Sequence, residues 1–136
     1  MLAISRAAYD AVVTHARTAA PAECCGVLGG AYGEERSQAA TAREARNVSP
    51  VPEREYEIDP EEQYELLTGI EDGGRDVVGF YHSHPRGPPR PSATDRTRAT
   101  WAGYTYLIVD LAGEQPFVGA WRWTGEGFER EAVELD

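Results

Sequence analysis

Apolar positions along the chain change their spacing several times, and each change marks an element. Over residues 5–20, Tyr9, Val12, Val13 and Ala16 recur at helical intervals. Ser5 stands at a capping position, Ile4 lies at staple spacing from Tyr9, and Pro21 ends the run. The next stretch, Glu23-Cys24-Cys25-Gly26-Val27-Leu28-Gly29-Gly30, is short and apolar and predicts a buried strand. After a turn at Gly33, residues 38–48 read as a second strand, rich in alanine and arginine, and residues 56–58 as a brief extended piece. Asp59-Pro60-Glu61-Glu62 combines a cap, a first-position proline and a capping-box glutamate. It starts a helix that turns Leu66, Leu67 and Ile70 inward and stops at Gly73-Gly74. Asp76–His84 reads as a core strand, residues 92–102 as a short helix, and residues 105–111, 117–123 and 128–133 as further strands. Helices interleaved with strands predict one mixed α/β domain over residues 1–136, built on a central sheet.

Composition narrows the class. A chain of 136 residues, 41% hydrophobic and 26% charged, buries a core without staples. Arg6, Asp10, His15 and Arg17 interrupt the first twenty residues, so no signal-peptide core is expected there, and no later run approaches a membrane span. Cys24 and Cys25 are adjacent, a spacing that rarely bridges, which fits a reducing, cytoplasmic setting. The formal net charge is −10 and every one of the 13 basic residues is arginine. That field disfavours nucleic acid as a partner. An acidic, lysine-free chain suits the salt-rich cytoplasm of a halophile; a high-GC coding bias would remove lysine equally well.

The candidate chemistry sits at Gly-Phe-Tyr-His-Ser-His-Pro-Arg-Gly-Pro-Pro-Arg-Pro-Ser-Ala-Thr-Asp, residues 79–95. Side chains alternate along a strand, so Val78, Phe80, His82 and His84 are expected on one face, the apolar pair in the core and the histidines at its end. One histidine alone is more often structural, but two at i and i+2 at a strand terminus point to a metal. Asp95 supplies a carboxylate from the first turn of the next helix. Ser92 and Asp95 also read as a capping box, and the two roles share one geometry. Four prolines between residues 85 and 91 stiffen the connection. Two imidazoles and one carboxylate leave an open position for water, the arrangement of hydrolytic zinc, which lowers the pKa of that water towards about 7. Such chemistry needs a carboxylate base nearby. Glu23 is the candidate, because it opens an otherwise apolar strand; a solvated strand-entry residue is the bland alternative.

Glu23, Gly26-Val27-Leu28-Gly29, His82-Ser83-His84-Pro85 and, with seven residues between it and His84, Ser92-Ala93-Thr94-Asp95 together resemble the JAMM (MPN+) metallopeptidase family. Its pattern is a distant glutamate followed by His-x-His-x7-Ser-x2-Asp, and no position here departs from it. The resemblance implies a cytidine deaminase-like MPN fold, a curved mixed sheet flanked by helices. It implies His82, His84 and Asp95 as ligands of one Zn2+, Glu23 as general base and then acid, and Ser92 as a stabiliser of the oxyanion. The implied reaction is attack on an amide carbonyl by a zinc-activated water, with no covalent intermediate. Cys24 and Cys25 then need not be nucleophiles and are expected to be small buried hydrophobes.

The short chain is similar to the compact archaeal and bacterial members, most of all the haloarchaeal desampylases that remove small archaeal modifier proteins. The implied partner is a ubiquitin-like modifier whose Gly-Gly tail lies beside a sheet edge. A peptidase that trims the C-terminus of a sulfur-carrier protein is the close rival, since it needs the same chemistry. A non-catalytic MPN scaffold is disfavoured because every ligand is present. A nucleoside deaminase is disfavoured because His-x-Glu and Cys-x-x-Cys are absent. His15 is expected to be structural, and Trp101, Trp121 and Trp123 to pack the core. Arg86 and Arg90, in the loop beside the histidines, are candidates to steer an acidic modifier towards an acidic enzyme.

Overall fold

The protein is described here by a computed structural model covering residues 1–136. Its elements follow in the order β1 (Leu2–Ile4), α1 (Arg6–Ala19), β2 (Cys25–Ala31), β3 (Ser37–Ala45), α2 (Pro60–Asp72), β4 (Asp76–His84), α3 (Ala93–Arg98), β5 (Thr105–Asp110), β6 (Phe117–Trp123), β7 (Phe128–Glu131) and β8 (Val133–Leu135). Ser5 caps α1, its hydroxyl accepting from the Ala8 amide at 3.1 Å. The buried stripe is Ala8, Val12, Val13 and Ala16, with Tyr9 partly buried beside it rather than at its centre. Asp59 caps α2 by accepting from the Glu61 and Glu62 amides, and Ile70 is its buried contact, with Leu66 and Leu67 half-buried around it.

All eight strands form one mixed sheet in the order β7-β6-β5-β4-β2-β3-β1-β8. The edge strands β7 and β8 are joined through the single residue Ala132, so the sheet has to curl until its two edges approach each other. Arg122 of β6 closes that approach. Its guanidinium donates to Glu131 Oε1 at 2.9 Å, Gly33 O at 2.7 Å and Ser37 Oγ at 3.1 Å, linking strands from both halves of the sheet. The expected single strand over residues 128–133 is therefore two, pairing antiparallel with β6 and parallel with β1.

The two faces carry separate cores. α1 packs with Leu2, Ile4, Leu28, Tyr81, Leu107 and Val109 on one; Ile70 of α2 meets Val27, Phe80, Tyr106 and Trp123 on the other. This corrects the expected facing of β4. Val78 lies in the α1 core and Phe80 in the α2 core, so they do not share a face. The reason is a bulge. Leu28 pairs with Gly79 and the next residue, Gly29, pairs with Val77, which leaves Val78 as the extra residue and inverts the alternation there. Beyond the bulge the alternation resumes, and Phe80, His82 and His84 are aligned. The helix expected over residues 92–102 ends at Arg98, because Ala99 leaves the helical region at ψ 129°. No helix is long and apolar enough to cross a membrane.

Candidate metal centre and active site

Strand register brings the distant glutamate to the histidines. β2 and β4 are antiparallel with Cys25 opposite His82, so continuing the pairing two residues back sets Glu23 opposite His84. Glu23 is not inside the strand, which starts at Cys25; it precedes it. Its backbone is fixed nonetheless. The Glu23 amide donates to Pro52 O at 2.8 Å, the Cys24 amide donates to Ser83 Oγ at 2.8 Å, and Ser83 N donates to Cys24 O at 3.2 Å. Ser83, the residue between the histidines, thus ties the ligand strand to the glutamate segment.

Glu23, His82 and His84 are all buried, and their ligating atoms lie within 4.8 Å of one another, a group that could hold a metal ion. Asp95 reaches the same histidines from α3. His82 Nε2 is 3.2 Å from His84 Nε2, and Asp95 Oδ2 is 3.2 Å from the first and 3.1 Å from the second. Three such atoms this close share either protons or a metal ion between them. Donors on a tetrahedral ion with bonds of about 2.0 Å stand about 3.3 Å apart, so the triangle has the size of one face of such a site. The residues present fit a metal.

The surroundings orient this set. His84 Nδ1 faces Pro88 O at 2.8 Å, which directs Nε2 towards Asp95. His82 Nδ1 is buried without a partner; instead its ring stacks on Tyr56, with centroids 4.5 Å apart and planes 27° apart. Ser92 and Asp95 form the expected capping box, with Asp95 N donating to Ser92 Oγ at 3.0 Å and Ser92 N donating to Asp95 Oδ2 at 2.8 Å. Cap and site coincide, as their shared geometry requires. Because Ser92 Oγ accepts in the cap, its own hydrogen stays free to donate.

The electrostatics separate the two carboxylates. Burial pushes Glu23 up to about 7, with the Asp95 and Glu55 charges adding to the shift and His84 opposing it. Burial acts on Asp95 in the same sense, but the His82 charge and hydrogen bonds from both histidines and the Ser92 amide hold it well below the usual carboxylate range. One carboxylate is held anionic beside the two imidazoles; the other is poised to exchange a proton near neutrality. Burial pushes the Cys24 thiol up to about 11 and Cys25 up to about 12, so both are protonated and poor nucleophiles, and they are unbridged.

A groove of about 210 Å³ opens beside Asp95, walled by Tyr56, Phe80, Arg98, Trp101 and Tyr106. Trp101 therefore packs on Phe80 while also facing the groove; Trp121 and Trp123 are buried. His15 is held by Tyr81, its Nδ1 lying 2.7 Å from the phenol oxygen. Arg86 is 80% exposed and stands 3.5 Å from Glu53. Tyr56, which stacks on His82 and walls the groove, carried no sequence signal beyond the short extended piece at residues 56–58.

Comparison with known proteins places this geometry. The chain matches the family described as prokaryotic homologs of the JAB domain over residues 5–124. It is 43% identical to a desampylase of Haloferax volcanii, across 99% of this chain and 96% of that one. It is 34% identical to a CysO-cysteine peptidase of Mycobacterium tuberculosis, across 80% and 73% of the two chains. The solution structure of a Desulfitobacterium hafniense protein, 30% identical, superposes with a TM-score of 0.90 over 100% of this chain and 93% of that one. With the glutamate, the histidine pair and the Ser-x2-Asp turn brought together, the chain belongs to the prokaryotic JAB-domain homologs, the JAMM-type family that its motif resembles.

Proposed function

We propose that this protein is a zinc-dependent metallo-isopeptidase that removes a ubiquitin-like modifier by cutting the amide between the modifier's terminal Gly-Gly and a lysine side chain. The observation that carries the reading is the convergence of His82, His84 and Asp95 within 3.2 Å, beside a Glu23 whose carboxyl titrates near 7. The full-length similarity to a desampylase supports the substrate class.

His82, His84 and Asp95 would hold one Zn2+. When bound, the ion supplies Lewis-acid activation of a water and of the scissile carbonyl. Glu23 takes the proton released as the carbonyl is attacked and gives it to the departing lysine amine, a double role that suits a carboxyl titrating near the working pH. The free Ser92 hydroxyl hydrogen donates to the carbonyl oxygen as charge develops there. The groove past Tyr56 and Trp101 admits an extended, side-chain-poor tail. A cytoplasmic setting is part of this proposal, and the lysine-free acidic composition suits high salt there.

A second reading, trimming of a sulfur-carrier protein, is favoured by the similarity to a CysO-cysteine peptidase. One experiment separates them. Purified protein is incubated at low and high salt with a Gly-Gly-tailed modifier joined to lysine and with a sulfur carrier bearing one extra C-terminal residue. Chelator and Glu23→Gln serve as controls, and zinc content is measured alongside. Chelator-sensitive cleavage of the lysine conjugate is expected. Cleavage of the second substrate alone would move the protein to sulfur-carrier processing, and bound zinc without any cleavage would favour a scaffold.

A further inference from the structure

We propose that Asn47 and Tyr56 are positioning residues of the metal centre, Tyr56 fixing the His82 ring and Asn47 fixing Tyr56 and Glu23 relative to each other. The inference rests on the metallopeptidase reading above and concerns how its ligands are held.

The two histidines are oriented by different means. His84 has Pro88 O at 2.8 Å from its second nitrogen, whereas the corresponding nitrogen of His82 is buried with no hydrogen-bond partner. A ligand imidazole without that second hydrogen bond is free to rotate unless packing stops it. The packing is Tyr56, nearly parallel to His82 at 4.5 Å. Tyr56 in turn lies on a stretch between β3 and α2 with no regular structure, which meets the chain after β3 through the bridge between Asn47 and Ile58 and the Val48 amide's bond to Glu57 O, while Arg98 Nη1 donates to Tyr56 O at 3.4 Å. A plate mounted on an irregular loop needs its own support.

Asn47 provides it. Its amide nitrogen donates to Glu55 O at 3.0 Å, and its Oδ1 accepts from Glu57 N at 3.1 Å, so one side chain grips the residues on either side of Tyr56. The same nitrogen donates to Glu23 O at 3.0 Å. The Glu23 amide already bonds Pro52 O of that loop. The loop that carries the plate and the residue that carries the proton are thus joined at both polar groups of the Glu23 backbone. Asparagine suits the position because it offers donor and acceptor on one short arm; aspartate keeps the acceptor and loses the donors.

The test uses the full chain with Tyr56→Phe, Tyr56→Ala and Asn47→Asp. Zinc affinity is measured by competition with a chromogenic chelator, and the cobalt-loaded proteins are compared by visible absorption, which reports ligand geometry independently of turnover. Thermal melts of the metal-free proteins monitor folding. Tyr56→Phe keeps the ring and is expected to bind zinc with the wild-type affinity and to give the wild-type cobalt spectrum. Tyr56→Ala and Asn47→Asp are expected to weaken zinc binding about 10- to 100-fold and to alter the cobalt spectrum. Tyr56→Ala that folds, binds zinc as wild type does, keeps the spectrum and changes only KM would overturn the positioning role and leave Tyr56 a groove wall. A wild-type protein that takes up no metal would overturn the metallopeptidase reading itself, and this inference with it.

Discussion

Replacing Glu23 with glutamine is expected to abolish activity and to stabilise the metal-free fold, by an amount that grows with pH. Glu23 is 6% exposed and its Oε1 has no partner, so its charged form is poorly tolerated in the fold. The carboxyl moves from an ordinary 4.5 to about 7. A folded-state pKa raised in this way means that Glu23 is harmless while protonated and destabilises the fold progressively as pH rises from 4.5 through 7. With one pKa unit worth about 1.4 kcal/mol, the penalty is about 1 kcal/mol near pH 5 and about 3 kcal/mol near pH 8. Glutamine carries no titrating proton and escapes it. Urea denaturation of metal-free wild type and Glu23→Gln at both pH values measures the difference directly. The variant should gain about 2 kcal/mol more at the higher pH, while kcat on a lysine conjugate falls by at least about 100-fold when zinc is restored. A gain that is the same at both pH values would refute the reasoning, since Glu23 would then not titrate between them.

Four further outcomes follow from the same geometry. Ser92→Ala removes the acceptor for Asp95 N and, with it, the hydroxyl proposed to donate to the reacting oxygen. It should cost about 1 kcal/mol of stability and about 100-fold in kcat with zinc content unchanged, measured by melts, kinetics and metal analysis. Gly26→Ala would put a Cβ 2.2 Å from the Tyr81 ring and 2.4 Å from Arg43 O. Melts should show a loss of about 3 kcal/mol or more. The buried Glu131 is raised by burial but held below its ordinary value by hydrogen bonds from the Met1 amine, Thr105 and Arg122. Its stabilisation is present above 4.5 and lost as pH falls, so Glu131→Gln should destabilise at neutral pH and converge with wild type on acidification. Charge reversal at Arg86 and Arg90 should lower kcat/KM about tenfold at low salt and much less at high salt; no change at low salt would remove the steering role.

Much of this was legible in the sequence, and the rest fails for identifiable reasons. β4 and β6 coincide with the expected Asp76–His84 and Phe117–Trp123, because each is a dense apolar run bounded by turn residues. The meeting of His82, His84 and Asp95 was legible because the three obey local rules, i and i+2 on a strand and a capping turn on a helix. Glu23 was legible as an anomaly, a carboxylate opening an apolar run. β1 and β8 were not, since three residues carry no period and both are formed by pairing distant parts of the chain in parallel. The bulge at Val78 was hidden because valine suits either core. Asn47 was hidden because its role lies in the backbone groups it reaches, at positions 23, 55 and 57, which no local pattern links to it.

The register of β2 on β4 makes fold and chemistry one problem. Glu23 meets His84 only while Cys25 is opposite His82, and a one-residue slip would turn the β2 side chains to the opposite faces. Hydrophobic pattern alone guards this weakly, because β2 is buried on both faces from Cys25 to Gly29 and would remain apolar after a slip. Gly26 guards it sterically. It stands opposite Tyr81, whose ring occupies the space a Cβ would need, so a slip in either direction would drive the side chain of Cys25 or Val27 into that ring. The bulge lies between Leu28 and Gly29, beyond Gly26 as seen from the histidines, so the twist it introduces leaves the pairing at the site unbroken. The glycine within the apolar strand is therefore part of what holds the Glu23 carboxylate beside the histidines, although it touches none of the three.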